Sequence, residues 1–337
     1  MGSVKAVVNS NENSTTPPKS RTVGKVEVVA VAEKHEGQRL DNFLIRQLKG
    51  VPRSRIYRLI RRGEVRVNKK RCKPERKLEV GDQVRIPPYS GADISEPGRP
   101  SAALQELLLQ SVLYEDEQFM VINKPSGLAV HGGSGINLGL IEAMRQLKAE
   151  WAGLELAHRL DRNTSGCLVI SKQNRFLKHI QEELKARRVK KLYLALVFGS
   201  WPDSLQQVDA PLQKELLSSG DRIVRVVAAG KPAFTEFRVR QRFQGATLIE
   251  ASPATGRTHQ IRVHCQYSGH PIVADNKYTL DKYMEKNAES PLWKPLKGVK
   301  SLCLHASKIH FSVPNRESAL EVEAPMDQQM ERVLDNL

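Results

Sequence analysis

The chain has 337 residues, 40% of them hydrophobic and 27% charged, and a net charge of +16, a profile that excludes a disordered or fibrous protein. No apolar run approaches the ~20 residues of a membrane span, and Val4 to Val8, followed by Asn and Ser, is too short for a signal-type apolar core. The four cysteines (Cys72, Cys167, Cys265 and Cys303) lie far apart with no C-x-x-C pair, so a disulfide scaffold is excluded and a reducing cytoplasm is expected. The length exceeds what one core usually needs, which predicts two domains.

The charge is unevenly spread. Residues 37–88 hold 16 Lys and Arg against 5 Asp and Glu, a net +11, whereas residues 111–337 carry only +6. Charge concentrated in one short segment points to a polyanionic partner. Residues 1–24 are rich in Ser, Thr, Asn, Lys and Pro and are expected to be disordered. Alternation at Val26, Val28 and Val29 then opens a lead-in strand, which closes a first segment at 1–36.

Leu40, Phe43, Leu44 and Leu48 recur at helical spacing, and a second helix is predicted from Pro52 to Arg62 with Ile56, Leu59 and Ile60 facing a core. Gly63 stands where a C-terminal cap belongs. Arg55, Arg58 and Arg62 fall on the opposite face, a row of guanidinium groups suited to phosphates and to RNA shape rather than sequence. Strands are predicted at Glu64–Val67 and Gln83–Ile86, with a turn at Gly81-Asp82. The string from Gly37 to Pro88, with its helix-helix-GEVRVN order, resembles the S4 domain, a small RNA-binding module. Residues 89–110, with Gly91, Pro97, Gly98 and Pro100, read as a linker.

From Ser111 to Leu337 the predicted strands are Val112–Glu115, Phe119–Asn123, Cys167–Ser171, Leu192–Val197, Ala233–Arg240 and Thr247–Ala251. Helices are predicted at Leu138–Lys148, Asn174–Arg188 and Thr258–Tyr267. Strands often follow one another without a helix between them, so the expected class is α+β with a mixed, largely antiparallel sheet.

The chemistry concentrates in His158-Arg159-Leu160-Asp161-Arg162-Asn163-Thr164-Ser165-Gly166. A loop carboxylate beside two arginines is poised to stay ionised, and Thr164, Ser165 and Gly166 permit a tight turn. An isolated Asp of this kind is more often an ordinary surface residue. The nine-residue string resembles the signature of the RluA-type pseudouridine synthases, as do Asn123-Lys124-Pro125-Ser126-Gly127-Leu128, "KKLYLALV" from Lys190, and "TGRTHQIRVH" from Thr255. The resemblance covers 37–337 almost without gaps. It implies that Asp161 is the essential carboxylate while the C1′–N1 bond of a uridine breaks and uracil rejoins through C5. It further implies that Tyr193 lies against the base, that Arg262 pairs with Asp161, and that Arg159 fills the gap left by a flipped uridine. Leu160 and Ile261 would wall the pocket, and uridines of large-subunit (23S) ribosomal RNA would be the substrate, free or within a precursor particle. A monomer without cofactor or metal is expected. The stretch from Ala274 to Lys297 departs from the family pattern, and its role is left open.

Other readings fit less well. His259 and His264 would sit about 140° apart on a helix, and no H-E-x-x-H exists, which argues against a metal site. The glycines from Gly132 to Gly139 match neither nucleotide-binding pattern, and no G-x-S-x-G elbow supports a hydrolase. A non-catalytic RNA-binding or ribosome-assembly protein is the runner-up, and a transfer-RNA-modifying enzyme is a third reading.

Overall fold

The computed structural model describes residues 26–48, 51, 53–88, 98–132, 138–217, 222–278, 296, 299 and 301–337. The predicted disorder of residues 1–24 lies outside them. The chain divides into two units, Met1–Glu96 and Pro97–Leu337.

In the first unit, β1 (Glu27–Ala30) is followed by α1 (Leu40–Gln47), α2 (Arg53–Arg62), β2 (Arg66–Val67) and β3 (Gln83–Ile86). The strands form an antiparallel sheet in the order β1-β3-β2, so the lead-in strand belongs to this sheet and not to a tail. The apolar faces read from helical spacing are the faces buried: Leu40, Phe43, Leu44 and Leu48 meet Ile56, Leu59 and Ile60 over Val67, Val84 and Ile86. Gly63 ends α2 at φ +72°, with its amide bonded to the Ile60 carbonyl, a left-handed step that costs glycine nothing. The second predicted strand of this unit is shorter than its pattern suggested, because Glu64 and Val65 continue the helix cap by donating to the Leu59 carbonyl.

The second unit begins with a helix inside the expected linker. Residues Ala102–Gln110 form α3, capped by the Ser101 hydroxyl, which accepts from the Leu104 amide at 3.3 Å. The Pro and Gly of 89–100 do not reach this stretch, and Ala-Ala-Leu-Gln-Glu-Leu-Leu-Leu-Gln consists of strong helix formers. Leu108 anchors it to the core. There follow β4 (Val112–Glu115), β5 (Phe119–Lys124), α4 (Leu140–Met144), β6 (Glu155–Leu156), β7 (Ser165–Ser171), α5 (Asn174–Lys185), β8 (Lys190–Phe198) and β9 (Gln207–Asp209). The hairpin β10 (Leu212–Leu216) and β11 (Arg222–Val226) precedes β12 (Phe234–Phe243), β13 (Ala246–Pro253), α6 (Gln260–Tyr267), β14 (Leu304–Phe311), β15 (Leu320–Glu323) and α7 (Gln328–Asp335).

One large sheet runs β4-β5-β7-β14-β8-β13-β12-β9, with β15 beside β14 and β6 beside β7. Only the β7–β14 pair is parallel among its pairings, so the sheet is mixed and largely antiparallel. Its central strands are covered on both faces. Met120, Ile122, Leu168 and Ile170 pack with α3 and α4, while Phe119, Val121, Cys167 and Val169 pack with Phe176 and Ile180 of α5. This is why β7 reads as a continuous apolar run rather than an alternation.

The parallel pair fixes where the second unit's key loop emerges. Gly166 pairs with Ala306 at φ +105°, and a Cβ there would lie 2.2 Å from the Ala306 carbonyl oxygen. No larger residue fits at this crossing, so the loop that ends at Gly166 is held at the junction of β7 and β14.

Candidate active site

The loop from His158 to Ser165 is braced at nearly every residue. The His158 Nε2 accepts from the Val169 amide at 3.1 Å, and the Thr164 amide closes a turn onto the Asp161 carbonyl at 3.1 Å. The Ser165 hydroxyl lies 2.9 Å from Nδ1 of His305 on β14. The segment from Lys124 to Leu128 supports it from the other side. The Ser126 hydroxyl donates to the Asn163 carbonyl at 2.8 Å and Arg162 Nε to the Gly127 carbonyl at 2.8 Å. The fully buried Lys124 donates to the carbonyls of Pro125, Leu128 and Arg162 at 2.8, 3.0 and 3.0 Å. Burial draws its pKa down to about 7, with Asp161 and Asp327 opposing, while three carbonyl acceptors use all three ammonium hydrogens. Two segments that are distant in sequence thus form one scaffold, and its apex is Asp161.

Asp161 lines a cleft of about 760 Å³, a volume typical of small-ligand sites. Its carboxylate faces Arg262 Nη1 of α6 at 3.6 Å and Nε2 of His259, the residue just before that helix, at 3.7 Å. Both distances exceed hydrogen-bond length, so no donor among the described residues occupies the carboxylate oxygens.

Arg262 is held elsewhere. Its Nε and Nη2 form a bidentate pair with Asp275, both at 2.7 Å, and both partners are buried. Asp275 also accepts from the amides of Lys277 and Tyr278 at 3.1 and 3.2 Å. Burial works against the guanidinium charge, but the bonds to Asp275 and the field of Asp161 hold the Arg262 pKa above its ordinary value. The expected Arg262–Asp161 pairing is therefore a secondary contact of an arginine whose fork belongs to Asp275. The two arginines next to Asp161 in sequence take other roles: Arg162 braces the scaffold, and Arg159 stands exposed on the cleft wall.

His259 is oriented by Tyr278. The Tyr278 hydroxyl accepts from the Val224 amide at 3.1 Å and lies 2.6 Å from His259 Nδ1. Burial depresses the His259 pKa to about 4, with Asp161 partly opposing. Its backbone is left-handed, φ +55°, at the start of α6, a costly conformation that packing must enforce. Gln260 supplies that packing, since its amide donates to the Phe234 carbonyl and the Thr235 hydroxyl, both at 2.9 Å. Neither Asp275 nor Tyr278 was singled out as a site residue from sequence, although both lie in the stretch whose role was left open. Most of that stretch, 279–295, lies outside the described residues.

Leu160 lines the cleft, whereas Ile261 and Tyr193 of β8 do not; Leu160 and Ile261 are buried in two different core clusters, and Tyr193 packs against both. Burial, reinforced by the Asp161 charge, raises the Tyr193 pKa, which keeps the phenol protonated. Arg55, Arg58 and Arg62 share one face of α2 in the first unit; Arg58 and Arg62 are exposed and Arg55 is half-buried. Amides of two glycines near the cleft, Gly132 and Gly139, donate to Glu142 Oε2 at 3.0 and 3.1 Å, so these amides cap α4 and are not free for phosphate. No group of three metal-ligating side chains converges among the described residues, nor is any helix among them long and apolar enough to cross a membrane.

The half-buried His158 makes acid stability a test of this scaffold. Burial, with the charge of Lys191, depresses the His158 pKa from 6.5 to about 3. Between those values the unfolded chain binds a proton that the folded chain refuses. Stability is thus fully present above about pH 6.5 and is lost as pH falls, by about 1.4 kcal/mol per unit for each such histidine. The urea midpoint should fall from pH 7 to pH 4, and less steeply for His158→Asn. Parallel slopes would show that His158 is not buried neutral.

A large mixed sheet, with one carboxylate set between an anchored arginine and a neutral histidine, defines the site, and comparisons with known proteins give its family. Residues 118–267 match the RNA pseudouridylate synthase family and residues 38–84 match the S4 domain. The chain belongs to the RNA pseudouridylate synthases, isomerases that convert uridine in RNA to pseudouridine. It is 51% identical to a protein of Salmonella typhi named ribosomal large subunit pseudouridine synthase C, over 93% of this chain and 97% of that one. Identity to the protein of that name from Escherichia coli strain K12 is 50%, with the same coverage. Among solved structures, human RNA pseudouridylate synthase domain containing 4 superposes with a TM-score of 0.54 at 26% identity, covering 70% of this chain and 95% of that one.

Proposed function

We propose that this enzyme isomerises specific uridines of large-subunit (23S) ribosomal RNA, with Asp161 as the essential carboxylate. The observation that carries the reading is an Asp161 side chain that meets its cation at 3.6 Å while no hydrogen bond from the described residues fills its oxygens. A carboxylate so placed is charge-paired yet open to a sugar or base atom. The reaction breaks the C1′–N1 bond, turns the uracil and forms C1′–C5; C5 loses a proton and N1 gains one, so product and substrate are isomers. The protonated Tyr193 lies against the base, Leu160 and Ile261 bound the pocket, and the exposed Arg159 fills the stack that the uridine vacates. Base extrusion costs a few kcal/mol, which Arg159 offsets by replacing the missing stacking.

The names of the relatives and the basic S4 module favour ribosomal over transfer RNA, either free or within a precursor particle. The enzyme then acts as a monomer in the cytoplasm and uses no cofactor. Incubation of unmodified large-subunit ribosomal RNA with the purified protein, followed by pseudouridine mapping, tests the reading. Modification at discrete uridines is expected. Tight binding with no pseudouridine would favour a ribosome-assembly role.

Arg55, Arg58 and Arg62 are assigned to RNA phosphates. Replacing all three with Gln should weaken binding and flatten its salt dependence, by roughly 0.7–0.9 in the log–log slope for each phosphate no longer neutralised. A slope equal to that of the wild type would remove this face from the interface.

A further inference from the structure

Lys191 is a cation for which the second unit provides no anion among the described residues. It lies on β8 two residues before Tyr193, and alternation along a strand places both side chains on the same face. Among the described residues no carboxylate or carbonyl accepts from its ammonium, although the side chain is half-buried. Burial alone lowers its pKa, with no acidic neighbour opposing. The other interior cations of this region are paired: Lys124 has three carbonyls, and Arg262 has Asp275 and Asp161.

The surroundings of Lys191 leave room for a ligand. Its charge reaches His158, at the root of the Asp161 loop. On the other side lies Gly256, an exposed residue. A Cβ on Gly256 would meet nothing nearer than the Lys191 Nζ, at 3.9 Å. The ammonium therefore lies beside the exposed turn that leads into α6, next to the residues that line the Asp161 cleft but not among them. A partly desolvated charge without a partner lowers stability, and such a residue is commonly completed by a ligand.

We propose that Lys191 is a phosphate-binding residue of the substrate site, whose ammonium receives a backbone phosphodiester of the RNA strand entering beside Asp161. The inference rests on the enzyme reading above and deepens it. The contact complements the exposed Arg159 and Arg162 of the loop, because it fixes the strand from the sheet side. A point-charge ammonium on a flexible stem suits a phosphate whose position shifts as the nucleotide turns out.

The test uses the full chain carrying Asp161→Asn, so that turnover does not obscure binding, with unmodified large-subunit ribosomal RNA transcript as the probe. Adding Lys191→Met should weaken binding and reduce the log–log salt slope by roughly 0.7–0.9, the share of one phosphate. Lys191→Arg should restore both. Lys191→Met should also raise the thermal midpoint, because it removes a buried charge that has no partner in the free protein. An unchanged salt slope would overturn the proposal, and so would a lowered midpoint, which would mean that the ammonium is paired within the protein. Pseudouridine mapping with Asp161 intact reads the enzymatic function separately. A Lys191-dependent slope without any pseudouridine would remove that function and leave the phosphate contact standing.

Discussion

Asp161→Asn is expected to lower pseudouridine formation by about 10⁴-fold or more, the scale on which loss of a group at the reacting centre is felt, with little change in fold or RNA affinity. The geometry separates these outcomes. The Asp161 carboxylate takes no hydrogen bond from the described residues, and its loop is held by His158, Lys124, Ser126 and Arg162. Arg262 retains its bidentate bond to Asp275 when the Asp161 charge is removed. An amide of the same shape therefore leaves the cleft standing while removing the group that can attack the sugar or accept a proton. Single-turnover assays with mapped ribosomal RNA, alongside equilibrium binding, would measure both. Turnover within tenfold of wild type would assign the reaction to another residue, and a collapsed thermal midpoint would make Asp161 a structural residue instead.

Much of this arrangement was legible in the sequence, for identifiable reasons. Helical spacing marked the buried faces of α1 and α2 because apolar burial leaves a periodic trace. Strand β5 showed as an apolar run because helices cover both faces of the sheet. The nine-residue string around Asp161 was visible through its resemblance to a family signature, and several of its residues do separate local tasks, from the imidazole of His158 to the Cβ-free crossing at Gly166. Strand β14 left no such trace, although it lies at the centre of the sheet. Its interior positions include His305 and Ser307, which are buried through partners on β7, on β8 and at Ala324. Helix α3 was hidden by the Pro and Gly residues just before it. The Arg262–Asp275 pair was illegible for a more general reason. Hydrophobic pattern shows which residues leave water, but not which charge accompanies a buried charge, and Asp275 sits outside any periodic element.

That pair should dominate the stability of the site. Asp275→Ala is expected to destabilise the second unit by about 3–5 kcal/mol, the cost of leaving one partner of a buried ion pair uncompensated. It should also depress turnover through a different route. Freed from its fork, the Arg262 guanidinium is only 3.6 Å from Asp161, and closing that gap would place hydrogen bonds on the oxygens that the reaction needs open. Asp275 thus acts as a positioning residue, since it holds the arginine back at the distance of an ion pair. The paired replacement Arg262→Met with Asp275→Leu separates the two effects. Replacing both buried charges by apolar groups should recover most of the stability, whereas turnover should stay low because Asp161 is then without its cation. Urea unfolding of the second unit and single-turnover pseudouridine assays on wild type, the single variant and the double variant supply the comparison. If the double variant recovered activity together with stability, Arg262 would be a packing element only, and the open carboxylate would have to be explained by His259 and Tyr278 alone.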